Sequence, residues 1–343
     1  MKNPTRRGFL AGALTGAAVV STAVVLDKIG AGVTPASAGT GPEVCKSVPS
    51  IPMGNTIPNL AFQAGMYDAG RTQRASDTLF CNIVGRGIGG GQHLPITKKF
   101  WNQGDWSLTK NDLANYAAFG TTVIFAVWPA SPASKSERAN LASFLTGIKR
   151  IGFGAHNAFL VPWQEPESKV SPAEFQAGLE FYGPTITAAG FPLVADIGTG
   201  EGPTLMGDLG AAAIAAMNKG VQLAGLAQDF YAPQHIAHGA TLDILAGLAD
   251  SNRIPFGVFE SGVVPSKFGV TASTDYLNYI GDFMSTRNQA GKRSLAWLYY
   301  DGQGQPTGAG DLTSPIGQDP SVAKPDFRAA LWRGWYDKLC ALS

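Results

Sequence analysis

From residue 60 onward the chain alternates short apolar runs with segments whose apolar residues recur at helical spacing. A short apolar run bounded by Gly, Pro and polar turns reads as a strand buried on both faces, and such a run followed by a helical segment reads as one βα unit. Eight runs occur: LAFQAGM (60–66), TLFCNIV (78–84), TTVIFAVW (121–128), NAFLVPW (157–163), FPLVADI (191–197), LAGLAQDFY (223–231), IPFGVFE (254–260) and SLAWLYY (294–300). Helical periodicity predicts helices over 109–119, 134–150, 171–189, 206–218, 239–251 and 273–290, with a last amphipathic helix over 326–339. Ser171-Pro172-Ala173-Glu174 opens one of them with a hydroxyl cap, a proline suited to the first turn and a carboxylate at the positive helix end. Little chain separates the first two runs, so the helix between them is weak or missing. Eight βα steps predict an α/β fold of the (β/α)8 (TIM) barrel class, which does its chemistry at the carboxyl ends of its strands.

Composition narrows the picture. With 343 residues, 45% hydrophobic and 15% charged, and with Gly 43 and Pro 22, the chain is long enough for one large barrel with many loops. A net charge of +1 with no long Lys/Arg run offers no electrostatic footprint for nucleic acid. Residues 1–38 stand apart from the fold: Arg6-Arg7-Gly8-Phe9-Leu10, a small apolar stretch and Ala36-Ser37-Ala38 read as a twin-arginine export signal with its cleavage site. A single membrane anchor is the alternative, but residues 9–26 are rich in Gly, Ala, Ser and Thr and only marginally long for a span. Cys45 lacks the small preceding residue that a lipid anchor requires. The expectation is a secreted or cell-surface protein without a stable membrane anchor after cleavage, with an extension over 39–59 and a barrel over 60–343.

No cofactor and no metal are predicted. Gly85 to Gly91 superficially resembles a dinucleotide loop but runs into Gln92-His93-Leu94-Pro95 rather than opening a helix. Neither the four histidines (His93, His156, His235, His238) nor the three cysteines show metal-ligand spacing. In an exported chain the cysteines permit one disulfide and one free thiol; a closed barrel brings the chain ends together and favours Cys45 with Cys340, leaving Cys81 as a buried thiol.

Candidate chemistry lies at two carboxylates, Glu165 in VPWQEPES (161–168) and Glu260 in PFGVFESGV (255–263), each closing an apolar run. Runs four and seven are three βα steps apart, which sets the two across the barrel mouth. Glycosidic cleavage needs one carboxyl to protonate the leaving oxygen and another, ionised, to meet the oxocarbenium-like centre. Either residue alone reads equally as a structural carboxylate, and Glu167 competes with Glu165 for the acid role.

Here the chain resembles the large clan of retaining barrel glycoside hydrolases in which an Asn-Glu-Pro motif follows strand four and a glutamate ends strand seven. The resemblance runs over roughly 60–335 in strand order, and its motifs are a few residues each. It implies Glu165 as acid/base and Glu260 as nucleophile, acting on a polysaccharide or oligosaccharide. Gln164 stands where the clan has Asn, offering the same amide on a longer arm. The resemblance further implies Tyr231 as the aromatic beside the nucleophile, Trp297 as an indole floor on strand eight, and Arg86 as the arginine that holds the nucleophile ionised. Trp128 and Trp163 close runs three and four and read as sugar contacts or core; Trp101 and Trp106 offer a sugar platform, and Asp196 and Glu201 offer hydrogen bonds to hydroxyls or are solvated. Retention requires a carboxyl separation of about 5–5.5 Å, whereas about 9 Å belongs to inversion. Two rival functions are a non-catalytic carbohydrate-binding barrel and a hydrolase of another bond, although no G-x-S-x-G elbow occurs.

Overall fold

A computed structural model describes residues 63–68, 96–108, 113–118, 120–198, 202–231, 242–263, 268–301, 313–314, 324–325, 331 and 334–335, of which 63–68, 299–301, 313–314 and 324–325 are described by backbone alone. All belong to the compact unit Thr40–Ser343, and none to the unit Met1–Gly39.

Eight parallel strands form one sheet: β1 (Gln63–Asp68), β2 (Ile96–Phe100), β3 (Thr122–Val127), β4 (Ala158–Pro162), β5 (Leu193–Gly198), β6 (Leu223–Tyr231), β7 (Phe256–Gly262) and β8 (Ser294–Asp301). Their order is β1-β8-β7-β6-β5-β4-β3-β2. With β1 and β2 also side by side, the sheet curls into a barrel. Helices α1 (Leu113–Ala118), α2 (Lys135–Ile151), α3 (Pro172–Ala188), α4 (Pro203–Asn218), α5 (Asp243–Ser251) and α6 (Val270–Gln289) alternate with the strands from β2 onward. The (β/α)8 class expected from the pattern is the class observed.

One strand differs from expectation. Run 78–84 lies outside the described residues, and the barrel's second strand is Ile96–Phe100, sequence ITKKF. Two lysines interrupt its apolar pattern, yet Lys98 and Lys99 are both buried. Lys98 faces the barrel interior, and Lys99 lies 4.8 Å from the ring centroid of Tyr116 on α1.

The core is divided by the sheet. Inside the barrel, Ile96, Ile124, Phe159, Val161, Val194 and Phe259 pack together with small residues of β6 and β8. Outside it, the alternate residues, such as Val123, Phe125 and Leu160, meet the helices. Helix α2 shows why the sequence folds this way. Ser134 accepts the Glu137 N–H, Lys149 and Arg150 occupy the last turn, and Gly152 closes the helix at φ 113°. Leu141, Phe144, Leu145 and Ile148 fall on one face and are buried, each stabilising by roughly 1.5–3 kcal/mol. In α3 the expected cap is a full capping box between Ser171 and Glu174.

Two irregularities aim the side chains that matter. Between β6 and β7 the register runs Gln228 to Val258 and then Asp229 to Glu260, leaving Phe259 as an extra residue. This bulge lets Phe259 fill the barrel while its neighbour Glu260 also turns toward the interior charged groups. A second shift between β7 and β8 pairs Phe256 with Ser294 but Val258 with Trp297. It places Trp297 in the layer between strands and helices, not inside the barrel.

Candidate active site

The segment after β4 is built around Trp163. Its N–H continues the ladder to the Val127 carbonyl at 3.0 Å, but its φ is 52°, and Glu165 follows at φ 49°. Each left-handed residue with a side chain costs on the order of 1–2 kcal/mol. Burial of the indole offsets this. Trp163 is 1% exposed, its Nε1 donates to the Pro129 carbonyl at 3.2 Å, and its ring meets Tyr182 edge-on at 5.2 Å. Gly178 on α3 makes the room, since a Cβ there would lie 2.3 Å from Trp163 Cη2. With the indole drawn into the helix layer, the turn presents Gln164 and Glu165 to the carboxyl end of the barrel.

There Gln164 Nε2 donates to Glu260 Oε1 at 2.7 Å. Lys98 Nζ lies 2.7 Å from the same oxygen, and the Tyr231 hydroxyl donates to Oε2. Both oxygens of Glu260 therefore face donors, which is the environment of an anion. Lys98 also contacts Asp196 Oδ2 at 2.5 Å and both oxygens of Asp229 at 3.1 Å. Carboxylate oxygens of Glu165, Asp229 and Glu260 all lie within 4.8 Å of one another.

So many buried carboxyls around one ammonium cannot all be ionised. Burial pulls the Lys98 ammonium down, but Asp196, Asp229 and Glu260 outweigh it and hold the group well above its usual range, so Lys98 is a cation. Burial, together with Asp196 and Glu260, pushes Asp229 well above the carboxylate range, against the opposing pull of Lys98. Asp196 is also raised, by burial, against the opposing pull of Lys98. Glu165 is raised by burial and then by the charge of Glu260. Tyr231 is raised well above the phenol range by burial and by Glu260, so its hydroxyl keeps its proton and donates. The result is one carboxylate ringed by donors, with a second carboxyl beside it, Glu165, whose hold on a proton is strengthened.

Glu167, the competitor for the acid role, points elsewhere. Its carboxylate accepts the Gly198 N–H at 3.0 Å, where a Cβ on residue 198 would collide with it at 2.0 Å. Burial and the neighbouring Glu165 push it up to about 7.

The structure thus brings Glu165, Glu260, Gln164 and Tyr231 together. It places the tryptophans differently. Trp163 anchors the turn from the core. Trp297 is 0% exposed in the strand–helix layer, with Nε1 donating to Ser261 Oγ at 2.9 Å, so no face is open as a sugar floor. Trp128 is half-buried, and the Lys169 ammonium sits 4.2 Å from its ring centroid. Trp101 is core, stacked on Phe125, and Trp106 packs edge-on against Phe144. Asp196 is a buried partner of Lys98 rather than a solvated loop carboxylate. Arg86, Glu201, His93, His235, His238 and the three cysteines lie outside the described residues.

Sequence reasoning missed Lys98, Asp229 and Lys169. Asp229 stands two positions before Tyr231, on the same face of β6, and that period of two was the available signal. The oxygens of Glu165, Asp229 and Glu260 form a donor set that a metal ion would fit by type, but Lys98 Nζ already contacts two of these residues and supplies the positive charge there.

The fold is similar to that of the endo-1,4-beta-xylanase XylE of Penicillium canescens, with a TM-score of 0.51 and 14% identity over 81% of this chain and 95% of that one. The GH128 (subgroup I) endo-beta-1,3-glucanase of Amycolatopsis mediterranei aligns at TM-score 0.46 and 13% identity, over 80% of this chain and 99% of its own. The mannanase catalytic domain of Streptomyces sp. SirexAA-E aligns at 0.47 and 16%, over 74% and 79%. At such identities the likeness is one of fold. No protein-family model and no curated protein matches the chain.

Proposed function

We propose that this protein is an exported retaining glycoside hydrolase, with Glu260 as nucleophile and Glu165 as acid/base. One observation carries the reading: Glu165 and Glu260 close strands four and seven with carboxylate oxygens within 4.8 Å of each other, one ringed by donors and the other raised toward its protonated form. That close approach suits direct attack rather than the wider carboxyl separation, roughly 6.5–9.5 Å, of inverting enzymes.

In the first step a Glu260 oxygen bonds to the anomeric carbon as the glycosidic C–O bond breaks. The Glu165 proton goes to the departing oxygen. Lys98, Gln164 and Tyr231 orient Glu260 before attack. Once Glu260 is esterified its charge is gone, and with it a cause that raised Glu165. Glu165 then becomes a better-ionised base at the moment it must take a proton from water. Water oxygen bonds to the anomeric carbon, its proton moves to Glu165, and the Glu260 ester bond breaks.

The xylanase with the same fold makes plant polysaccharides the first substrates to try. Export rests on the twin-arginine pattern of residues 1–38. The test is reducing-end release from plant, fungal and bacterial wall polysaccharides by the mature chain, Glu165→Ala and Glu260→Ala. Release that both variants lose supports the reading. Full turnover in either variant removes that residue's role, and binding without release moves the assignment to a carbohydrate-binding barrel.

A further inference from the structure

Lys169 grips the turn that presents Glu165. It closes the 3-10 turn Pro166–Ser168 with its N–H on the Pro166 carbonyl at 2.9 Å. Its side chain then folds back, and Nζ donates to the Gln164 carbonyl while lying 4.2 Å from the Trp128 ring centroid. That carbonyl belongs to the residue between the two left-handed positions, Trp163 and Glu165. The ammonium therefore fixes the peptide plane leading directly into the Glu165 backbone.

Lys169 also answers the charge around Glu165. The carboxyl of Glu165 is faced by Glu260 from β7, Asp196 from β5, Asp229 and Tyr231 from β6, Lys98 from β2, and Glu167 and Lys169 from its own loop. The acidic groups and burial favour a held proton, and Lys98 is shared among Asp196, Asp229 and Glu260. Burial draws the Lys169 ammonium down, while Glu165, Glu167 and Asp229 support its charge against Lys98. A carboxyl that only held its proton would serve the first half of a double displacement and fail the second.

We propose that Lys169 is a positioning residue for Glu165: it fixes the turn through the Gln164 carbonyl and supplies the counter-charge that lets Glu165 release a proton as well as hold one. The inference rests on the acid/base reading of Glu165.

Three variants separate its two parts. Lys169→Gln keeps a donor without the charge, Lys169→Arg keeps the charge, and Lys169→Met keeps neither. The first readout needs no substrate: the Glu165 carboxyl titration by carbon-13 NMR of glutamate-labelled protein, assigned against Glu165→Gln. Loss of a nearby cation disfavours the carboxylate, so Lys169→Gln should move this titration to higher pH and Lys169→Arg should leave it in place. The second is the pH profile on a substrate found active. The basic limb of kcat/KM on an oligosaccharide, and the acidic limb of kcat on a nitrophenyl glycoside of the same sugar, should both move to higher pH in Lys169→Gln. In Lys169→Met kcat should fall about tenfold further with little change in KM, as expected for a misplaced acid/base group. If the Met variant does not fold, the Gln and Arg pair decides. An unmoved Glu165 titration in Lys169→Gln, or equal shifts in the Gln and Arg variants, overturns the inference. Full activity in Glu165→Ala would remove the acid/base reading itself, a separate outcome.

Discussion

Replacing Lys98 with Met removes the cation around which the interior charges are arranged. Lys98 Nζ lies 2.5 Å from Asp196, 3.1 Å from Asp229 and 2.7 Å from Glu260, and its side chain is 0% exposed. Removing one partner from a buried ion pair costs about 3–5 kcal/mol, because the remaining charge is neither solvated nor paired. For a chain of this size that corresponds to a fall in Tm on the order of 4–7 °C. The loss should depend on pH with a definite sign. Lys98 is raised in the fold, so its contribution is fully present below the unfolded value of 10.5 and fades only as pH rises through the higher folded value. In the variant the stranded acids, already raised by burial, take up protons as pH falls, which relieves the repulsion. Thermal unfolding followed by circular dichroism should therefore show a large deficit near pH 7.5 that shrinks toward pH ~4.5. A deficit below about 2 °C at pH ~7.5, or one that grows on acidification, would refute the charge assignment of this cluster.

Three further outcomes are expected. Glu167 is pushed up to about 7 from 4.5, so the native state keeps a proton that the unfolded chain has released, and stability falls as pH rises through that window. Glu167→Gln should abolish this fall, a relative gain of at most about 3 kcal/mol above pH ~7 in urea unfolding, and an unchanged pH slope would contradict it. Asp229 is raised further than Asp196, so Asp229→Asn should cost less unfolding free energy at neutral pH than Asp196→Asn, which takes a charge partner from Lys98 and should cost about 3–5 kcal/mol; the reverse ranking would sink this order. Gly178→Ala would set a Cβ 2.3 Å from the Trp163 ring, so overpacking should cost about 1–3 kcal/mol and lower kcat through the displaced turn, whereas parent-like stability and turnover would show that Trp163 does not anchor it.

The barrel was legible because its strands are buried on both faces and read as unbroken apolar runs, TVIFAV and AFLVP most plainly. The β2 strand was not, because ITKKF carries Lys98 and Lys99 where burial favours apolar residues. The same physics hid the charged cluster: a buried lysine among carboxyls has no sequence signature until strands distant in the chain are set side by side. Glu165 and Glu260 could be found, since a carboxylate closing an apolar run marks a strand end. The tryptophans misled because local backbone decides which way they face. A left-handed φ sends Trp163 into the helix layer, and a register shift between β7 and β8 does the same for Trp297.

The central claim, that Glu260 attacks and Glu165 shuttles the proton, is tested most directly with azide in the two alanine variants on an activated aryl glycoside. Azide is small enough to occupy the space of a missing carboxylate and needs no general base. Glu165→Ala should form the glycosyl azide with retained anomeric configuration, through the Glu260 ester, while Glu260→Ala should form it with inverted configuration. The same configuration from both variants, or the two exchanged, would contradict the account.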